Sequence, residues 1–319
     1  MKFQTPSFWY QPWAQLPRWV HVLSPLGKLY GLAGKIRAYF TTPYQAGSRV
    51  ICVGNLVAGG SGKTPTALAL MQIIKEGGLA RNPCFLTRGY GGRLKGPVFV
   101  SDHGYQDVGD ESLLLSRVAP VIVAKDRVSG AQLAVRSGHD LIVMDDGFQN
   151  PALHKDTSFV VVDGKTGFGN GYLIPLGPLR ENINDGLSRA QAIIKIGGET
   201  SLHTAKPVIQ AHIEAACDLP RGSKVYGFCG LGQPEKFRQS LLDYGYELAG
   251  FKIFADHHPY TRTDLQNLHA AAFEQQAHLI TTAKDLCRID VPENIHVLRI
   301  QLIFDQPEQL LAYLQGTPA

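Results

Sequence analysis

Charge is scarce in this chain of 319 residues, and acidic charge is absent from its beginning. Asp, Glu, Lys and Arg make up 18% of the sequence, against a usual ~25%. The first carboxylate is Glu76, preceded by Lys2, Arg18, Lys28, Lys35, Arg37, Arg49, Lys63 and Lys75. The net charge of +4 is too mild to mark a nucleic-acid-binding protein. No apolar run approaches the ~18 residues that a membrane-spanning helix needs. No charged start, apolar core and small-residue cleavage site forms a signal peptide. The five cysteines, Cys52, Cys84, Cys217, Cys229 and Cys287, lie far apart without metal-ligand spacing, which fits reduced thiols in a cytosol-facing protein. Internal repeats, low-complexity tracts and long like-charge runs are also lacking. With 44% hydrophobic residues the chain is not disordered, and its length suits about two domains.

The cationic beginning is also where the aromatics gather. Trp9, Trp13 and Trp19, all the tryptophans of the chain, fall within its first 19 residues, beside Phe3, Phe8 and Tyr10. Leu23, Leu26, Leu29, Tyr30, Leu32, Ile36, Tyr39 and Phe40 follow, interspersed with Lys28, Lys35 and Arg37. Aromatics and cations without anions describe a segment lying in a membrane interface. A helix packed on the rest of the protein is the alternative. Pro6, Pro12, Pro17 and Pro25 break the segment, so a broken element followed by a helix at about 26–41 is expected.

Beyond residue 48 short apolar runs alternate with helical patterns, the signature of βαβ units and a parallel sheet. Strands are expected at 49–54, 82–87, 121–124, 140–144, 158–162 and 192–196, with helices at 65–75, 111–118 and 131–136. Residues 164–189, rich in Gly, Pro and Asn, read as an ordered functional loop, and 207–216 as an extended connector. A second α/β unit follows, with strands at 224–229, 247–254, 278–282 and 295–300 and helices at 234–244, 263–275 and 307–315. The division is thus an N-terminal membrane-associating segment at 1–42, a phosphate-loop domain at 43–206, the connector, and a smaller C-terminal α/β domain at 217–319.

The sharpest motif is VGNLVAGGSGKTP, residues 53–65. A strand leads into Val57, Ala58, Gly59, Gly60, Ser61 and Gly62, then Lys63, Thr64 and a helix. Glycines let backbone N–H groups approach phosphate oxygens, and the helix N-terminus adds positive potential. Lys63 is placed to reach the β- and γ-phosphates and Thr64 to ligate Mg²⁺. Val57 stands where the usual pattern has its first glycine. A second apolar strand, LIVMDD, ends in Asp145 and Asp146, the carboxylates expected on the Mg²⁺ side of such a site. Together these mark a nucleotide hydrolase or phosphotransferase. A guanine-reading Asn-Lys-x-Asp is missing, the nearest stretch being Thr282-Ala283-Lys284-Asp285, so adenine is favoured.

Four further stretches carry polar groups in loops. TRGYGGR offers Arg88 and Arg93, and GDES offers Asp110 and Glu111. GPLRE offers Arg180 and Glu181, and ADHHPYT offers Asp256, His257 and His258. A helix cap is the plain reading of Asp110 and a surface ion pair that of Arg180 and Glu181. A histidine beside a carboxylate can do acid–base work.

GNLVAGGSGKTP, TRGYGGR, GDES, DDGFQN, GFGNGYLIPLGPLRE, FCGLGQPEKF, FADHHPYT and TTAKD occur together in the order seen in the tetraacyldisaccharide 4′-kinase family, which the chain resembles over about 23–290. That family's loop also lacks the first glycine. The resemblance implies transfer of the γ-phosphate of ATP to the 4′-hydroxyl of a tetraacylated glucosamine disaccharide 1-phosphate, giving lipid IVA. It implies work at the cytoplasmic face of the inner membrane on an acylated disaccharide lipid, with ATP and Mg²⁺ and without an obligate protein partner. Carried over by motif, Asp110 is the base for the sugar hydroxyl, His257 its partner, and Arg180 the group stabilising transferred-phosphate charge. Lys63 and Thr64 hold phosphates and Mg²⁺, and Asp145 and Asp146 are the Mg²⁺-side acids. Thr87, Asn150 and Ala283 stand where the family usually has serine, histidine and glutamate. A nucleotide-dependent protein-binding switch and a ligase on a soluble substrate are the rivals: the switch does not account for Asp110, Arg180, His257 or the aromatic N-terminus, and the ligase predicts activity without lipid and indifference to removal of residues 1–40.

Overall fold

The computed structural model describes residues 6–316. Lys2 and Phe3 of the aromatic, cationic segment lie outside the described residues. Twelve strands form one sheet. They are β1 (Arg49–Gly54), β2 (Pro83–Thr87), β3 (Val98–Phe99), β4 (Val121–Val123), β5 (Leu141–Asp145), β6 (Thr157–Asp163), β7 (Ala192–Ile196), β8 (Val208–Ala216), β9 (Lys224–Cys229), β10 (Glu247–Ile253), β11 (His278–Thr282) and β12 (His296–Phe304). Their order across the sheet is β10-β9-β11-β12-β8-β7-β6-β1-β5-β2-β4-β3. Strands β1, β2 and β4–β8 run parallel, and β3 closes one edge antiparallel to β4. Strands β9–β12 are parallel to one another.

The segment read as a connector is extended, and it is paired on both edges. Residues Val208–Ala211 lie parallel on β7, and Ala211–Ala216 lie antiparallel on Arg299–Phe304 of β12. That pairing explains why β12 continues four residues past the expected 300. The sequence pattern also misses a helix inside the 164–189 loop. Ile183–Ser188 is helical because Asn182 caps it, its side chain accepting from the N–H groups of Asn184 and Asp185. Two-residue β3 and the helices Tyr105–Val108 and Ala283–Leu286 are too short to carry a readable period.

Apolar runs in β1, β5, β6 and β2 are buried on both faces, as expected for parallel strands covered by helices. The helix Lys63–Glu76 packs one face with Ala67, Leu70, Met71 and Ile74 against Ile51, Phe85, Val143 and Phe159. The core therefore fixes the phosphate loop from behind. All functional motifs of this half leave the carboxyl ends of neighbouring parallel strands, which brings them to one edge of the sheet.

Residues 6–40 are broken as their prolines require. Two short 3₁₀ turns, Ser7–Tyr10 and Trp13–Gln15, precede the helices Arg18–Val22 and Ser24–Tyr39. One side packs on the protein through Leu16 and Val20, buried with Leu176. The other side leaves Trp13 64%, Tyr39 85% and Phe40 80% exposed, with Leu29, Leu32 and Ile36. Among the described residues no helix is long and apolar enough to cross a membrane.

Leu70 is fully buried between the sheet and its helix. Leu70→Ala should destabilise the protein by about 2–5 kcal/mol, read as a lower midpoint in thermal or urea unfolding.

Candidate active site

The phosphate loop is shaped by two left-handed glycines. Gly59 has φ +117° and Gly62 φ +87°, conformations that an L side chain rarely adopts. A Cβ on Gly62 would also press on the Ile196 side chain. Gly62 is the N-cap of the helix that begins at Lys63, so Pro65 falls in the first turn, where its missing N–H costs no helical hydrogen bond. Beneath the loop, the Asn55 side-chain amide donates to the buried Ser61 hydroxyl at 2.7 Å.

Asp145 and Asp146 end β5 beside this loop and differ sharply. The Thr64 hydroxyl donates to Asp145 Oδ2 at 3.1 Å, while Asp145 Oδ1 is buried without a hydrogen-bond partner. Burial, reinforced by the charges of Glu111 and Asp146, pushes the Asp145 carboxyl up to about 7. Asp146 has φ +50°, strain of the kind found at functional positions. Its Oδ1 accepts from Arg180 Nη1 at 2.9 Å, and its Oδ2 is 3.8 Å from Lys63 Nζ. Burial acts to raise Asp146 as well, but Lys63 and Arg180 outweigh it and hold the carboxyl low. The orphaned oxygen of Asp145, the adjacent Thr64 hydroxyl and the hard oxygen donors fit Mg²⁺.

Arg180 is aimed by backbone. Its N–H donates to Leu56 O at 2.7 Å, and the Ala58 N–H donates to Pro178 O at 2.7 Å. The GPLRE loop is thereby tied to both sides of Val57. Gln149 Oε1 also accepts from Arg180 at 3.3 Å. Glu181 is part of a different pair, with Arg189 at 2.6 Å, and Arg93 is bound to Asp107 at 2.6 Å.

Asp110 opens the helix Asp110–Ser116 and is only 2% exposed. Its Oδ2 lies 2.9 Å from His257 Nδ1 and 3.4 Å from Arg288 Nε, and its Oδ1 lies 3.9 Å from Lys284 Nζ. The Glu111 N–H also donates to Oδ1, at 2.9 Å. Burial works to raise this carboxyl, yet the His257 hydrogen bond and the charges of Lys284 and Arg288 prevail and lower it. His257 lies between β10 and the helix Arg262–Glu274, with φ +58°. Its ring meets Tyr90 at a centroid distance of 5.6 Å. Of the two partners, the histidine faces outward: its side chain is 24% exposed and that of Asp110 1%.

The structure therefore brings Lys63, Thr64, Asp145, Asp146 and Arg180 into one cluster and Asp110 and His257 into another. The helices that begin at Lys63 and Asp110 pack on each other, which places the two clusters side by side. Sequence reasoning missed Gln149, Lys284 and Arg288. Lys284 lies in the TTAKD stretch, tested as a base reader and set aside, and its charge in a loop after a strand was the available signal. Arg288 is a buried cation held at 2.9 Å by Asp285, and nothing local marks it as such. His258 turns away to Asp264 at 3.1 Å, as adjacent residues pointing apart require.

The family model described as tetraacyldisaccharide-1-P 4′-kinase matches residues 19–317. A tetraacyldisaccharide 4′-kinase of Rhodospirillum rubrum is 41% identical, with 95% of each chain covered. One of Bradyrhizobium diazoefficiens is 42% identical over 96% of this chain and 94% of its own. A crystal structure of LpxK from Aquifex aeolicus in complex with ATP superposes with a TM-score of 0.76 at 26% identity, covering 93% of this chain and 98% of that one.

A carboxyl held low in the folded state contributes stability above its unfolded value of ~3.9, lost as pH falls toward the folded value. His257→Ala removes the largest lowering influence on Asp110. Its carboxyl should then titrate at higher pH in NMR, and acid unfolding should begin at higher pH than in the wild type.

Proposed function

Because the chain belongs to the tetraacyldisaccharide 4′-kinase family, ATP-dependent kinases of lipid A biosynthesis, we propose that its Asp110–His257 pair takes the proton of the acceptor's hydroxyl. The reaction moves the γ-phosphoryl group of ATP to the 4′-hydroxyl of tetraacyldisaccharide 1-phosphate and yields lipid IVA and ADP. The observation that carries the assignment is the 2.9 Å contact between Asp110 Oδ2 and His257 Nδ1, beside the phosphate-loop cluster.

A sugar hydroxyl is a poor nucleophile near neutral pH. In the free enzyme Asp110 is ionised, since its neighbours lower it. It accepts from Nδ1–H and so leaves Nε2 of His257, 3.8 Å from Asp256 Oδ1, as the proton-accepting atom. The hydroxyl oxygen bonds to the γ-phosphorus as the bond to the ADP oxygen breaks, and the hydroxyl proton passes to the pair. Lys63 and Arg180 face the charge on the transferring group, where preorganised cations act most strongly. In the free state Asp146 occupies both cations, which keeps them placed for the phosphates. Thr64, Asp145 and Asp146 would hold Mg²⁺. What magnesium supplies when bound is neutralisation of charge on the β- and γ-phosphoryl oxygens. With domain boundaries at 206 and 217, His257 comes from the smaller unit and Asp110 from the larger, so the pair forms across the boundary.

The acyl chains favour the bilayer by ~0.8 kcal/mol per CH₂, so the active site must work at its surface. The exposed aromatics of residues 13–40, with Lys28 and Arg37 among them, support docking on the cytoplasmic face of the inner membrane.

Asp110→Ala and His257→Ala should each lower kcat by about 10²–10⁴-fold, with ATP binding retained. The assay is transfer of labelled γ-phosphate to tetraacyldisaccharide 1-phosphate in mixed micelles. No lipid product from folded, ATP-binding wild type would contradict the assignment and return the switch reading. Replacing both Tyr39 and Phe40 with Ser should weaken sedimentation with anionic vesicles by at least about tenfold, and added salt should weaken it further.

A further inference from the structure

The aromatic N-terminal segment does more than face outward, because its inner side grips the loop that carries Arg180. The Asn170 N–H donates to Trp9 O at 2.7 Å. The Asn170 side-chain amide donates to Phe8 O at 3.2 Å and to Leu176 O at 3.0 Å. Trp9 Nε1 donates to Pro175 O at 3.0 Å. The Tyr172 hydroxyl receives Trp13 Nε1 at 3.2 Å and lies 2.8 Å from His21 Nδ1. Leu16 and Val20 bury themselves against Leu176. Gly27 and Gly31 allow the helix Ser24–Tyr39 to close on Leu173, which a Cβ at either position would crowd.

The far side of this loop is bonded to the phosphate loop. Leu179 N–H donates to Tyr172 O at 3.1 Å and Ile174 N–H to Leu179 O at 2.9 Å. Leu179 in turn bridges to Val57, and the flanking Pro178 and Arg180 bond to Ala58 and Leu56. A continuous path of hydrogen bonds therefore runs from Trp9, Trp13 and His21 through Asn170 and Tyr172 to Arg180.

We propose that residues 8–21 are a seat for the Arg180 loop, and that Tyr172 and Asn170 are positioning residues for phosphoryl transfer acting through Arg180. A segment that served only as an anchor would set the local lipid concentration and hence KM. A seat sets the placement of the guanidinium and hence kcat. The inference does not depend on membrane docking, only on the kinase reaction.

The test uses the full chain and the mixed-micelle kinase assay, with lipid and ATP each titrated to saturation. Tyr172→Phe keeps the ring and loses the bonds to Trp13 and His21. It should lower kcat by about three- to tenfold, the effect of one to two modest hydrogen bonds, with KM for ATP and the thermal midpoint near wild type. Asn170→Asp, which loses both donated side-chain bonds at constant size, should do the same. In an Arg180→Ala background Tyr172→Phe should have no further effect, because the positioned group is gone. An unchanged kcat with a raised lipid KM would overturn the proposal in favour of a pure anchor. A loss of the same size in the Arg180→Ala background would overturn it too, since Tyr172 would then act by another route.

Discussion

A nearly inaccessible carboxylate, Asp110, is the point on which the two ends of the sheet converge. Three cationic or hydrogen-bonding groups reach it from the C-terminal part of the chain: His257, Lys284 and Arg288. An ion buried to this degree is costly unless partnered, and removing one partner from such a group is expensive. The arrangement therefore constrains the protein twice. It requires the segments after β3, β10 and β11 to meet, and it holds an ionised carboxylate at neutral pH. Glycines make the meeting possible. Gly109 has φ +83° and its missing Cβ lets the Tyr90 carbonyl approach the start of the Asp110 helix.

Around this point the electrostatics are graded. Asp145, with one orphaned oxygen, is pushed up to about 7 by burial and its acidic neighbours. Asp146, one residue on, is held low by Lys63 and Arg180. An unsatisfied carboxylate thus stands on one side of the site and a pair of placed cations on the other. Both depend on parallel strands ending at one edge, so the chemistry follows from the order β1-β5-β2-β4 and from helices packed behind it.

Much of this was legible in the residues. Apolar runs ending in glycine or aspartate marked β1 and β5, and GGSGKT with LIVMDD announced a phosphate site before any fold was drawn. The pairing of Asp110 with His257 was legible only through motif resemblance, since 147 residues separate them and no local pattern links GDES to DHH. Arg288 and Gln149 were invisible because their roles arise from tertiary contact. The second edge of β8 was hidden for a related reason. An extended polar segment reads alike whether it is solvated or paired, and only β12 decides. In the N-terminal segment the packed reading holds on one side, and the other side leaves its aromatics exposed, because prolines break it into pieces with separate faces.

The account stands on Asp110 and His257 acting as one proton-accepting unit, and a double-mutant cycle in single-turnover phosphoryl transfer tests that most directly. Asp110→Asn, His257→Ala and the double variant would be compared at saturating ATP and lipid. The account predicts that the double variant is no slower than the slower single variant, as for residues that work as a unit. Losses that multiply would contradict it, showing two groups with independent tasks.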